Sequence, residues 1–124
     1  MKRQTPRWSL DSWFPVAIAI VLMGAITHAA EPIRVLIVDG QNNHNWKGTT
    51  PILNNFLVKS GRFSVDVATT PAKGSAKEAW NEFRPKFADY GAVLSNYNGE
   101  LWPEPVQRSL EEYVSNGGAL IIVH

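Results

Sequence analysis

The chain has 124 residues, 12 Lys and Arg against 11 Asp and Glu, and a formal net charge of +1. It contains no cysteine, which excludes disulfides, a thiolate nucleophile and any cysteine-ligated metal. The charges are mixed in sign with no basic run, so nucleic-acid binding has no electrostatic footprint.

The amino terminus reads as an export signal. Lys2, Arg3 and Arg7 form a positive start, the stretch 14–26 is apolar, and the small residues Thr27, Ala29 and Ala30 precede Glu31-Pro32. The apolar run is short for a bilayer span of about 20 residues, so cleavage near Ala29 or Ala30 is expected. The alternative is an uncleaved anchor. Either way residues 31–124 lie outside the cytoplasm, with no stable membrane anchor once residues 1–30 are removed. The signal carries three of the twelve basic residues and one of the eleven acids, so the remainder is close to neutral.

The first element is the run at 33–38, in which five of six residues are apolar, closing at Asp39. Such a run reads as a strand covered on both faces. Behind it comes a polar loop, Gly40-Gln41-Asn42-Asn43-His44-Asn45-Trp46. In open α/β sheets the ligand crevice lies beyond the carboxyl ends of the strands, which makes this loop the first candidate site. It lacks GxGxxG spacing, so dinucleotide binding is disfavoured.

Thr49 and Thr50 before Pro51 suit an N-cap and a first helical proline. The expected helix runs to about Ser60 with Ile52, Phe56 and Leu57 on its buried face, Leu53 and Val58 at its flanks, and Gly61 as its stop. Residues 62–68 alternate like a half-exposed edge strand. Ser75 and Glu78 form a capping box for a second helix carrying Ala79, Trp80 and Phe83 and breaking near Pro85. Residues 92–97 are a third strand, followed by the polar loop Asn98-Gly99-Glu100-Leu101-Trp102. The third helix, 103–116, buries Val106, Leu110, Tyr113 and Val114, and Gly117-Gly118 end it. Ala119 to Val123 is a fourth strand, as apolar as the first. It requires cover on both faces, and we expect the chain to be the amino-terminal half of a larger domain. The alternation of strands and helices predicts a parallel sheet, flavodoxin-like with strand order 2-1-3-4.

The combination VLIVDGQNNHNW with SNYNGELWPEPVQRSLEEYVSNGGALIIVH resembles the ThuA-like domain family, named from trehalose utilisation and part of the class I glutamine amidotransferase-like superfamily. The likeness covers residues 32–124. It implies a flavodoxin-like α/β fold and a link to bacterial carbohydrate metabolism, often in secreted proteins. The superfamily's cysteine nucleophile is missing, so thioester glutaminase chemistry is excluded on composition.

In a 2-1-3-4 sheet, Asp39, Asn96 and His124 fall at the carboxyl ends of strands one, three and four, with His44 and Glu100 on the same rim. Strands lie about 4.8 Å apart, so these groups can converge. Asp39 and Glu100 are the acids placed to act as an acid–base pair on a glycosidic bond, with His44 and His124 as bases or ligands. Against this, an Asp at a strand end commonly hydrogen-bonds its own loop, and Glu100 suits a solvated position near a helix start. Trp46 offers a flat face to sugar rings, and Gln41, Asn42, Asn43, Asn96 and Asn98 offer paired donors and acceptors to hydroxyls. Trp102 is expected to pack beneath the loops. No metal site is assigned; His44, His124 and Asp39 are a sensible donor set for a divalent ion, but their spacing matches no zinc pattern. The expectation is an exported domain that binds or acts on carbohydrate, with hydrolysis as the reaction type if it is an enzyme. Its rivals are a non-catalytic sugar-binding module and an inactive truncated product.

Overall fold

The computed structural model describes residues 30–123. The expected signal segment, apart from Ala30, and His124 lie outside the described residues. Among these residues no helix is long and apolar enough to cross a membrane.

The elements follow in the order β1 (Ile33–Asp39), α1 (Trp46–Lys59), β2 (Phe63–Thr69), two 3-10 turns (Lys77–Asn81 and Phe87–Asp89), β3 (Ala92–Ser95), α2 (Glu104–Ser115) and β4 (Ala119–Ile122). The strands form one sheet in the order β2-β1-β3-β4, and every pairing is parallel. This is the flavodoxin-like arrangement expected from the sequence.

β1 is the central strand, buried continuously from Val35 to Asp39. Its residues divide between two cores, as the two-residue period of a strand requires. Leu36 and Val38 meet Trp80, Phe83, Phe87, Val93, Val106 and Tyr113 on one face. Val35 and Ile37 meet Leu94 and the half-buried Leu53, Leu57 and Val65 on the other. α2 and the 3-10 turns cover the first face; α1 covers the second. Phe87, Ile37 and Val38 are wholly inaccessible.

Three local expectations are corrected. α1 begins at Trp46 rather than after Thr50, because the Asn45 side chain accepts the Gly48 N–H and caps the helix, leaving Pro51 inside it. That start fixes the helix phase. Thr50, Leu53 and Leu57 face the sheet, whereas Ile52 and Phe56 are 68 % and 76 % exposed. The helix ends as expected, with Ser60 as C-cap and Gly61 at φ +70°.

The second helix contracts to the 3-10 turn Lys77–Asn81, and Ser75 makes no cap because Ala76, with ψ 153°, is the residue preceding it. Pro85 disfavours helical geometry at Arg84. The Arg84 guanidinium instead takes the Trp80 and Phe83 carbonyls, at 2.7 and 2.9 Å. On α2, Val106 and Tyr113 are buried and Leu110 packs beside them. Val114 is 41 % exposed and lies outside the stripe.

β4 pairs with β3 along one edge, and all four of its residues are exposed. Ile121 and Ile122 are 50 % and 69 % accessible, enough apolar surface to bind a dye such as ANS. We expect Ile122→Lys to reduce ANS fluorescence while leaving the far-ultraviolet circular dichroism unchanged; unchanged fluorescence would place the dye elsewhere. Phe87→Ala should remove about 3–5 kcal/mol of stability in denaturant unfolding.

Candidate functional site

β1 and β3 end beside each other: Val38 pairs with Ser95, and the Asn96 N–H donates to the Val38 carbonyl at 2.9 Å. The loops leaving these ends are joined by side chains. Asn42 Nδ2 donates to Asn96 Oδ1 at 3.4 Å, and Asn96 Nδ2 donates to Thr50 Oγ1 at 3.1 Å. Further out, Asn98 Nδ2 donates to Asn43 Oδ1 at 3.2 Å, and the Asn98 N–H donates to the Gln41 carbonyl at 2.9 Å.

Gln41 is the hinge of the arrangement. Its side chain is 6 % exposed, with Oε1 accepting the Glu100 N–H at 3.0 Å and Nε2 donating to the Pro71 carbonyl at 2.8 Å. A longer bond runs from Nε2 to Glu100 Oε2 at 3.4 Å. The Glu100 carboxylate also accepts the Gly74 N–H, at 3.1 and 3.3 Å to its two oxygens. The segment 71–75 therefore forms a strap tied down at both ends, by Gln41 at Pro71 and by Glu100 at Gly74.

Two glycines make this closeness possible. Gly40 has φ +116°, a region L side chains avoid, and a Cβ there would sit 2.4 Å from Thr70 Oγ1. A Cβ at Gly99 would fall 2.4 Å from Gln41 Oε1 and 2.8 Å from the Tyr97 hydroxyl. Gly99→Ala should thus push Gln41 off Glu100 and cost about 1–3 kcal/mol, read from urea unfolding; wild-type stability would show that the contact can yield.

Asp39 stands apart from this network. Its carboxylate is 2 % exposed and accepts the Thr69 hydroxyl of β2 at 2.7 Å, while its carbonyl accepts the Thr70 N–H at 2.8 Å. The side chain thus bonds the neighbouring strand and not its own loop, and it lies beneath the surface. His44 is exposed on the loop after β1. Its N–H donates to Asn42 Oδ1 at 2.9 Å, and its carbonyl accepts the Trp46 N–H at 2.9 Å. Trp46 opens α1 half-buried, with the Lys47 ammonium 5.6 Å over its ring, so part of its stacking face is taken by a cation–π contact. Among the described residues no three His, Asp or Glu side chains gather to hold a metal ion, and His124 of the considered trio lies outside them.

Trp102 packs as expected. Its ring contacts Phe83 at 5.6 Å, Phe87 at 6.1 Å and Tyr97 at 5.4 Å between centroids. The Tyr97 hydroxyl donates to the Glu100 carbonyl at 2.6 Å. Burial raises the Tyr97 phenol above its ordinary 10.0, and the Glu100 charge adds to the rise. Trp102 and Thr70 beside it pull the other way, yet neither completes a well-formed bond: Trp102 Nε1 and Thr70 Oγ1 are buried atoms without a hydrogen-bond partner.

A phenol that ionises later in the folded chain than in the unfolded one stabilises the fold below about pH 10, and that contribution is lost as pH rises toward the folded value. Tyr97→Phe should therefore flatten the fall in stability above pH 10. Tyr90, raised chiefly by burial, leaves a residual slope of the same sign.

Two hollows open beside the network. One of about 550 Å³ is lined by Ser75, Lys77, Trp80, Asn81 and Glu100, among others. A shallower one of about 300 Å³ runs past Tyr97, Asn98, Glu100 and Gln107. Glu100 borders both, with Leu101, 87 % exposed, as an apolar ridge between them. Asn98 and Glu100 are thus the anticipated rim residues that reach a hollow; Gln41 holds both and Asn43 holds Asn98, while Asn42 and Asn96 tie the loop after β1 to β3 and α1. The sequence reading missed Thr50, Ser75, Lys77 and Asn81. Thr50 carried a signal: it is a polar residue in phase with Leu53 and Leu57 on the buried helix face.

No family profile and no curated protein matches the sequence. Among solved structures, the chain is similar to a ThuA-like protein from Parabacteroides merdae, at 41 % identity and a TM-score of 0.71. The match covers 76 % of this chain and 33 % of that one, so the chain spans about a third of its relative's length.

Proposed function

From the likeness to a ThuA-like protein at 41 % identity, we propose that the chain supplies one wall of a carbohydrate-binding site at the carboxyl-end rim of its sheet, in a protein exported by residues 1–30. The observation carrying this reading is the chain of amides that holds Glu100 and Asn98 at the hollows. Sugar hydroxyls are recognised by convergent, fixed donors and acceptors beside apolar surface. Here the amides of Gln41, Asn42, Asn43, Asn96 and Asn98 are bonded to one another or to the loops they brace, which lowers the cost of ordering them on binding. Leu101 supplies apolar contact beside the carboxylate.

Glu100 is the acid that meets the ligand, accepting from sugar hydroxyls. Asp39, buried against Thr69, serves to fix the end of β1 against β2. A two-carboxylate hydrolytic mechanism is thereby less favoured than binding, and any hydrolysis would draw its second group from elsewhere. His44, exposed beside Asn42 and Asn43, is placed at the outer margin of the same rim.

Titration calorimetry with neutral mono- and disaccharides, trehalose included, tests the reading. Asn98→Ala and Glu100→Gln should each weaken binding about tenfold or more, the worth of a hydrogen bond to a charged or well-fixed group. Asp39→Asn should act on stability before affinity. Binding that survives both rim substitutions unchanged would move the site elsewhere. Export is tested separately: amino-terminal sequencing of the secreted protein should begin at Ala30 or Glu31, and retention of Met1 in a cytoplasmic product would overturn it.

A further inference from the structure

A larger hollow of about 590 Å³ lies on the other side of the strap, at the carboxyl end of β2, where Thr69, Ser75, Phe83 and Arg84 contribute to its walls together with Glu82. Apart from Ser75, which it shares with the Glu100 hollow, it contains none of the residues that line that hollow. Its size falls within the usual range of ligand pockets, about 300–1,000 Å³.

The polar groups have a definite character. Arg84 spends Nη1 on the Trp80 and Phe83 carbonyls, which fixes the guanidinium and leaves its Nη2 and Nε protons to donate. Glu82 brings an acceptor of opposite charge two residues away, and the two form no ion pair within 4.0 Å. A net anion would gain from Arg84 and lose to Glu82; a net cation would meet the reverse. A neutral molecule carrying many hydroxyls uses both, donating to Glu82 and accepting from Arg84. The Thr69 hydroxyl is engaged with Asp39 but keeps acceptor capacity.

We propose that this cleft is a second binding subsite, for a neutral polyhydroxylated ligand, with Glu82 and Arg84 as its recognition pair. The proposal deepens the carbohydrate reading and rests on it for ligand class, but it involves a separate set of side chains. The strap 71–75 is the partition between the two subsites.

The test is nuclear magnetic resonance titration of the full 15N-labelled chain with glucose and sorbitol as neutral probes and glucose 6-phosphate as a charged one. Amides of Glu82 and Arg84 should shift and saturate with the neutral probes, and Glu82→Gln or Arg84→Gln should weaken that response at least tenfold with circular dichroism unchanged. Glu82 is exposed, so its variant keeps the test open if Arg84→Gln disturbs the turn. Shifts at Asn98 and Glu100 report the first site independently and should survive both substitutions. Absence of saturable shifts at Glu82 and Arg84, indifference to both substitutions, or tighter binding of glucose 6-phosphate than of glucose would overturn the proposal. Loss of the Asn98 and Glu100 shifts alone would instead overturn the first site.

Discussion

The burial of β1 on both faces and both edges is the constraint from which the rest follows. Val35 to Asp39 are at most 3 % exposed, and the strand is paired with β2 from Ile33 to Asp39 and with β3 from Val35 to Val38. Polar function therefore cannot sit along the strand. It has to sit where the strand ends, and the parallel direction brings the ends of β1, β2 and β3 to one rim. The same constraint explains Asp39. A carboxylate at the last buried position must find a donor, and it finds the Thr69 hydroxyl on the neighbouring strand.

The rim is built in two tiers. Gln41 and Asn96 lie inside, 6 % and 3 % exposed, and join the loops to each other and to α1 through Thr50. Asn98 and Glu100 lie outside and face the hollows. Buried amides of this kind are stabilising only when satisfied, and those of Gln41 and Asn96 have partners. Glu100 belongs to both tiers: its carboxylate holds the strap at Gly74 and borders two hollows. A ligand that engages it must share or replace the Gly74 bond, which couples binding at the rim to the position of the strap.

The strands and their order were legible in the sequence because burial leaves a strong trace: Ile33 to Val38 and Ala92 to Leu94 are apolar runs with polar ends, and residues 62–68 alternate. Helix starts were less legible. The cap expected at Thr49 and Thr50 forms instead at Asn45, whose side chain reaches Gly48, and the buried face keeps Leu57, takes in Leu53 and leaves Ile52 and Phe56 exposed. At 75–85 a capping box was present in the residues but not in the fold, since Pro85 and the Arg84 guanidinium together stop the turn. The rim amides were foreseen as a cluster, as the Asn42–Asn96 and Asn98–Asn43 bonds bear out, because amides after an apolar run have few other reasons to gather. Ser75, Lys77 and Asn81 were not, because a strap folded back across a distant loop leaves no local periodicity.

The central claim is that Gln41 and Glu100 hold a rim already ordered before any ligand arrives. Amide hydrogen exchange measures this directly at Asn98, Glu100 and Gly74, whose N–H groups donate to Gln41 or Glu100. The account predicts strong protection at Asn98 and Glu100 without ligand, and a change at Gly74 when a neutral saccharide binds. Exchange at unprotected rates at all three positions, with no response to saccharide, would contradict it.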